Sequence, residues 1–137
     1  MESLYTARAI ATGGRNGRVR SDDGLIDYQL AMPKELGGPG GEATNPEQLF
    51  AAGYAACFAN AVKRVAREQR VDWQTPEVSA EVGIGRVDTR FHLTVSLHVT
   101  NPGLEPELAC KLMADAHAIC PYSNAVSGNV EVSLHLR

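Results

Sequence analysis

The sequence predicts an α+β fold with the element order β-β-α-β-β-α-β, in which a largely antiparallel sheet surrounds a buried central helix. Residues 25–32 and 91–99 alternate apolar and polar side chains, as half-buried strands do. Residues 49–62 are apolar on nearly every side, which is typical of a helix that is covered all round. The 137 residues are predicted to form one domain, residues 1–137, that buries about two-thirds of its unfolded surface.

The composition is ordinary for a globular protein, with 44% hydrophobic and 21% charged residues. It excludes disordered, collagen-like and small disulfide-dense proteins. Thirteen Lys and Arg against sixteen Asp and Glu give a net charge of −3, which argues against a nucleic-acid partner. The most apolar stretch, 49–62, is too short to cross a bilayer, so no membrane partner is expected either.

The N-terminal residues do not follow a signal-peptide pattern, because Glu2 comes directly after Met1 and no apolar stretch follows. The chain has three cysteines, which cannot all pair with one another. Together these features predict a cytoplasmic protein in a reducing compartment. Its cysteines are then working thiols or inert core residues.

The first elements are predicted as a hairpin. Residues 4–11 form a modest strand candidate, residues 12–17 have the glycine and asparagine of a turn, and residues 25–32 form the second strand. Residues 33–44 are rich in glycine and are predicted to form a loop. Because this loop lacks the glycine spacing of the phosphate-binding motifs, it does not predict a nucleotide site.

A long helix is predicted from Pro46 to about Gln69. Pro46 suits the first turn of a helix, a capping residue precedes it, and Glu47 lies near the positive end of the helix dipole. One small sheet and one further helix cannot easily cover a helix that is apolar all round. A second copy of the chain could, so the sequence predicts a homodimer.

The second half is predicted as two strands, a helix and a last strand. Residues 78–85 and 91–99 are the strands, and residues 91–99 show the clearest alternation in the chain. The helix over residues 106–119 is predicted to end at Cys120-Pro121, because proline cannot continue a helix. Residues 130–136 form the last strand.

Cys57 lies in the middle of the central helix. Most buried free cysteines are small core residues, and burial alone makes a thiol inert. An active Cys57 would need a cation from outside its own helix, because no basic residue lies three or four positions away.

Cys120 lies where the second helix is predicted to end, which leaves its thiol free to swing and suits a resolving role. Its distance from Cys57 along the chain does not predict a pairing, and no CxxC motif is present. Cys110 has no motif around it and is interpreted as structural or incidental. His117 and Cys120 are three residues apart, but this is weak evidence for zinc, and no metal site is predicted.

Two arginines, Arg15 and Arg18, lie on the glycine-containing turn, where arginine is usually solvated. Glu47 is most simply a partner of the helix dipole, contributing about 0.3–1 kcal/mol. It precedes Cys57 by about 15 Å along the helix axis. Glu47 and Cys57 are therefore not expected to touch each other, although both could contact one arginine between them.

Two segments of the sequence carry a family resemblance. Residues 44–58, TNPEQLFAAGYAACF, closely resemble the first cysteine motif of the organic hydroperoxide resistance proteins, the Ohr branch of the Ohr/OsmC superfamily. Residues 120–125, CPYSNA, resemble the second motif and favour the Ohr branch over the OsmC branch. Shorter matches at 12–15, 33–38 and 82–85 extend the resemblance over essentially the whole chain.

The resemblance implies an OsmC-like fold, an intertwined homodimer and the reduction of organic hydroperoxides. It implies that Cys57 is the peroxidatic thiol and that Cys120 is the resolving thiol, which closes an intrachain disulfide. It also implies that Arg15, and not Arg18, is the catalytic arginine, and that Glu47 holds it. The regenerating partner would be a dihydrolipoyl group on a protein or another dithiol, and no tightly bound cofactor is expected.

Apolar side chains from Phe58, Leu49, Phe50 or Phe91 are expected to favour alkyl or lipid hydroperoxides over H₂O₂. The residues alone leave two other classes open. A reductase or isomerase of protein disulfides would use the same cysteines. A carrier of apolar ligands would need the pocket but no thiol.

Overall fold

A computed structural model describes all 137 residues as two compact units, residues 1–49 and residues 50–137. The α+β class and the largely antiparallel pairing agree with the prediction, but there are six strands and three helices where five and two were expected. The strands are β1 (Ala9–Thr12), β2 (Arg18–Ser21), β3 (Asp27–Gln29), β4 (Val78–Val87), β5 (Arg90–Val99) and β6 (Val132–Leu136). The helices are α1 (Pro46–Glu68), α2 (Pro106–Ile119) and α3 (Pro121–Val126).

The sheet of residues 1–49 is antiparallel throughout, in the order β1-β2-β3. The prediction of a two-stranded hairpin is wrong, because β2 adds a strand between the two predicted ones. Its arginines leave it without the apolar alternation that marks a strand. The turn between β1 and β2 is tight, since a Cβ atom on Gly17 would collide with the carbonyl oxygen of Thr12.

Little of residues 1–49 is buried within a single chain. Leu30 is the one hydrophobic residue there that is nearly inaccessible, whereas Ile10 and Tyr28 are 58% and 49% exposed. A small sheet needs a covered apolar face to be stable. The apolar side chains of this sheet are therefore open in the single chain.

The sheet of residues 50–137 has the order β4-β5-β6. Strands β4 and β5 form an antiparallel hairpin, and β6 runs parallel to β5. The alternation predicted for β5 is confirmed, because Val95, Leu97 and Val99 are all buried. The core also contains Tyr54, Phe58, Ala61, Val62, Val65 and Ala66 of α1 and Ala109, Leu112, Met113 and Ala116 of α2.

Helix α1 begins at Pro46 as predicted, and Asn45 caps it by accepting a hydrogen bond from the Gln48 N–H at 2.9 Å. One side of the helix is buried. On the other side Ala52, Ala56 and Asn60, each four residues from the next, are exposed in the single chain. This is the surface for which the apolar sequence predicts a second copy.

Helix α3 is an addition to the predicted order. Pro121 ends α2, as expected, but it also occupies the first turn of a new helix. Proline is tolerated there because the N–H that it lacks would have no partner within the helix. Cys120 is therefore both the C-cap of α2 and the N-cap of α3.

Candidate active site

Cys57 lies on α1 at the edge of its buried side. Its neighbour Phe58 is fully buried, Ala56 is exposed, and Cys57 itself is half-buried. The residue packs against the hydrophobic core, and its thiol is free. A partly accessible thiol with an apolar surrounding can meet a small substrate.

The sulfur of Cys120 lies 3.7 Å from the sulfur of Cys57. The expectation of a thiol that is free to swing is wrong, because Cys120 is fully buried and belongs to the core. Its position between α2 and α3 ties its backbone to both helices. A disulfide has an S–S distance of about 2.05 Å, so the two sulfurs need to approach by less than about 2 Å to bond.

Burial is the largest influence on Cys57, and it raises the pKa of the thiol. A hydrogen bond from the backbone N–H of Tyr122 lowers this pKa, and the neighbouring Cys120 raises it again. The Tyr122 N–H is available because the first N–H groups of a helix have no partner within the helix. With the net pKa raised, Cys57 needs a further positive charge to become reactive near neutral pH.

Two aromatic rings that precede Cys57 on α1 pack against a third on α3. The rings of Phe50, Tyr54 and Tyr122 have centroid separations of 5.6 to 6.0 Å. Tyr122 fits because residue 53 is glycine, since a Cβ atom on Gly53 would lie 2.7 Å from the Tyr122 hydroxyl oxygen. A glycine is therefore needed at position 53 to leave space for the ring of Tyr122.

A buried hydrogen bond joins α1 to α3 beside the two cysteines. The hydroxyl oxygens of Tyr54 and Ser123 are 2.9 Å apart. Each residue lies three positions from a cysteine, Tyr54 from Cys57 and Ser123 from Cys120. The sequence analysis missed both residues, together with the Tyr122 N–H. Pro121, which suits the start of a helix, is the one signal that could have indicated them.

Arg15 and Glu47 form a two-point ion pair. Arg15 Nη1 donates to Glu47 Oε2 at 2.7 Å, and Arg15 Nη2 donates to Glu47 Oε1 at 2.6 Å. These bonds lower the pKa of Glu47 and raise the pKa of Arg15. The planar guanidinium matches a carboxylate in this arrangement, so Glu47 is more than a partner of the helix dipole.

Arg18 has a different partner. It donates two hydrogen bonds to Asp27, at 2.6 and 2.8 Å, across the exposed faces of β2 and β3. Its side chain is 62% exposed, compared with 32% for Arg15. The two arginines of the turn are thus distinguished by their partners and their burial.

The other candidate residues take no part in these contacts. Cys110 is exposed on α2. Phe58, expected beside the substrate, lies instead in the buried core, and Phe91 is 65% exposed at the start of β5.

No group of three or more His, Cys, Asp or Glu side chains is placed to hold a metal ion. None of the helices has the length and apolar character needed to cross a membrane.

Known proteins resemble the chain over nearly its whole length. A family model described as OsmC-like protein matches residues 38–135. An organic hydroperoxide resistance protein of Xanthomonas axonopodis pv. citri (strain 306) is 48% identical over 134 residues, which are 97% of this chain and 94% of that protein. The crystal structure of the organic hydroperoxide resistance protein OhrB of Bacillus subtilis is 43% identical with a TM-score of 0.90, covering 98% of this chain and all of that one. A crystal structure described as an organic hydroperoxide resistance protein from Legionella pneumophila is 51% identical with a TM-score of 0.92, covering 98% of both chains.

Proposed function

Because the chain belongs to the organic hydroperoxide resistance proteins of the OsmC-like family, we propose that it reduces organic hydroperoxides to alcohols with its own thiols. The observation that carries the proposal is the 3.7 Å distance between the sulfurs of Cys57 and Cys120. A thiol peroxidase of this kind needs a second thiol close to the first, and both cysteines here are free.

In the first step the thiolate of Cys57 attacks the terminal oxygen of the hydroperoxide. The O–O bond breaks, the sulfur keeps the terminal OH as a sulfenic acid, and the other oxygen leaves as an alkoxide that takes up a proton. The sulfur loses two electrons and the hydroperoxide gains them. Cys57 suits this role because it is half-buried, whereas Cys120 is sealed in the core.

In the second step the thiol of Cys120 attacks the sulfenic acid of Cys57. The S–S bond forms, the S–O bond breaks, and the OH leaves as water with the thiol proton. Because the two sulfurs are already neighbours, this step can precede further oxidation of Cys57.

In this proposal Arg15 supplies the positive charge that the chemistry requires, since burial raises the pKa of Cys57. A guanidinium stays charged at every relevant pH and can also donate to peroxide oxygens. Two of its five N–H donors are used by Glu47, which leaves three for other partners. Glu47 is then the residue that fixes the orientation of Arg15.

The disulfide is returned to two thiols by a dithiol, which gives up two electrons and two protons and becomes a disulfide itself. The family resemblance favours a dihydrolipoyl group on a partner protein.

We further propose a homodimer, because the exposed small residues of α1 and the open sheet of residues 1–49 need cover. Three free thiols suit a reducing compartment such as the cytoplasm.

The substrate class is organic because the surroundings of Cys57 are apolar. Phe50 and Tyr122 belong to the aromatic cluster next to it, and Tyr122 is 37% exposed. Such a surface binds the alkyl or aryl group of an organic hydroperoxide, whereas H₂O₂ has no apolar group to bury there.

A peroxidase assay with cumene hydroperoxide and H₂O₂ tests the proposal, with dihydrolipoamide or glutathione as the reductant. We expect cumene hydroperoxide and dihydrolipoamide to be strongly preferred. Cys57→Ser should abolish the activity, whereas the matched control Cys110→Ser should keep the wild-type rate. Comparable losses in both variants would contradict the assignment. Binding of cumene hydroperoxide without oxidation of any thiol would indicate a carrier instead.

A further inference from the structure

The end of α1 borders a surface pocket that none of the steps above uses. The pocket has a volume of about 390 Å³, within the range of about 300–1,000 Å³ that small-molecule sites occupy. Its lining includes Lys63, Arg67, Arg70, Asp72 and Trp73. We call it the basic pocket.

The basic pocket concentrates positive charge. None of Lys63, Arg67 and Arg70 forms an ion pair, whereas Arg64 on the same helix is paired with Glu68. Asp72 is the one acid in the lining, so three positive charges and one negative charge leave a net charge of +2. This occurs in a chain whose overall net charge is −3.

Arg70 has a backbone conformation that favours glycine. Its φ is 57°, in the left-handed region. The N–H of Val71 donates to the Ala66 carbonyl at 2.8 Å, and the N–H of Arg70 donates to the Arg67 carbonyl at 3.1 Å. These two bonds define a Schellman motif, in which Arg70 takes the place that glycine usually has.

Folding alone does not account for an arginine at this position. The Cβ atom of a non-glycine residue is strained in the left-handed region. The negative end of the helix dipole attracts basic residues, but it acts as well on Arg67, whose place in the helix is unstrained. Strained residues cluster at functional sites, and here the side chain of the strained residue lines the basic pocket.

The charge and shape of the basic pocket indicate its ligand. A phosphate monoester carries about −1.5 to −2 charges near neutral pH, and the net side-chain charge of +2 outweighs the charge of about −0.5 at the helix end. Arginine forks bind phosphate oxygens at two points, and lysine adds a point charge. Val71, which is half-buried, gives the lining an apolar surface, which suits an organic group attached to the phosphate.

We propose that the basic pocket binds the phosphate group of a small organic phosphate monoester. Arg67 and Arg70 hold the phosphate oxygens, Lys63 adds charge, and the organic part lies against Val71. This site is independent of the peroxidase chemistry, so either proposal can fail without the other.

Calorimetric titration with phenyl phosphate and with inorganic phosphate tests the site, in buffers of equal ionic strength. We expect saturable binding of both, with phenyl phosphate bound more tightly. Arg70→Gly should weaken binding at least about tenfold, because a charge-assisted contact is lost. The same variant should keep or raise the thermal unfolding midpoint, because glycine relieves the strain at φ 57°. This combination separates a lost ligand contact from a damaged fold.

Arg64→Gln is the matched control, since Arg64 lies on the same helix but outside the basic pocket. It should bind phenyl phosphate like the wild type. Equal weakening in Arg64→Gln and Arg70→Gly would overturn the proposal, because it would show attraction by overall charge and not by a site. Absence of saturable binding would overturn it as well. Equal affinity for the two probes would overturn the role of Val71 in holding an organic group.

Discussion

The two cysteines and the Arg15–Glu47 ion pair are held by different forces. Cys120 is fully buried and belongs to the hydrophobic core, and Cys57 packs against that core. Arg15 lies on a short turn, its side chain is 32% exposed, and one carboxylate holds it through two hydrogen bonds. Packing thus positions the sulfurs, whereas an ion pair positions the cation.

This difference predicts which variants report chemistry and which report folding. Cutting back a large buried residue costs about 2–5 kcal/mol of stability. An ion pair that is partly exposed contributes about 1 kcal/mol or less. Variants of Arg15 and Glu47 should therefore change the reaction while the fold survives, and variants of the core around the cysteines should change both.

The largest effect is expected from Cys120→Ser, which removes the second thiol from the packed region. Sustained turnover with dihydrolipoamide should stop, because the sulfenic acid of Cys57 no longer has a nearby thiol. Mass spectrometry of the oxidised variant should show one added oxygen per chain and, with excess hydroperoxide, two or three. Undiminished turnover would contradict the resolving role.

Arg15→Ala should have the next largest effect. Loss of the charge should lower the rate with cumene hydroperoxide by about 10²–10³-fold, as removal of other electrostatic stabilisers does. The pKa of Cys57 should rise, so activity should increase with pH up to a higher value than in the wild type. Arg18→Ala is the control, because Arg18 pairs with Asp27 at the exposed sheet surface. Stopped-flow rates across a pH series measure both changes. Identical behaviour of the two variants would show that Arg15 has no special role.

A third prediction concerns the hydrogen bond between Tyr54 and Ser123. Tyr54→Phe leaves the buried Ser123 hydroxyl without its partner, so we expect a loss of about 1–3 kcal/mol in the free energy of unfolding. The double variant with Ser123→Ala should lose less than the sum of the single variants, because neither partner remains unpaired. Urea unfolding of the four proteins in the cycle gives the coupling. Strictly additive losses would mean that the bond does not couple α1 to α3.

The smallest effect is expected from the acid dependence of the Arg15–Glu47 pair. The hydrogen bonds from Arg15 lower the pKa of Glu47 in the folded chain. A lowered carboxyl pKa adds stability that is present above the ordinary glutamate pKa of about 4.5. This stability is lost as the pH falls through the lower, folded value.

Glu47→Gln should therefore reduce stability at neutral pH by about 1 kcal/mol or less and should flatten its decline below about pH 4.5. Glu68→Gln is the control, since the pair of Glu68 with Arg64 is open to solvent. Urea midpoints at a series of pH values measure the difference. If the stability of Glu47→Gln declined below about pH 4.5 as steeply as that of the wild type, the ion pair would not stabilise the fold.

The sequence predicted the elements whose signals are local. The apolar alternation of β5 and the capping segment of α1 are both readable over a few residues, and both elements are present. Strand β2 was missed because its pairing partners, and not its own pattern, make it a strand. Helix α3 was missed because Pro121 was interpreted as an end, although it is also a beginning.

The contacts of the candidate site could not be predicted from spacing. Arg15 and Glu47 are 32 residues apart, and Cys57 and Cys120 are 63 residues apart. Only the family resemblance implied that each pair works together. The burial of Cys120 and the hydrogen bond between Ser123 and Tyr54 depend on how α3 packs. Pro121 indicates where that helix begins but not what it packs against.

The three thiols lie at three depths, since Cys110 is exposed, Cys57 is half-buried and Cys120 is fully buried. A maleimide added to the reduced chain should thus reach Cys110 and Cys57 directly, and Cys120 only when the junction of α2 and α3 opens. The labelling rate of Cys120 then gives the free energy of that local opening. Labelling of Cys120 therefore reports the motion that exposes the most protected thiol of the chain.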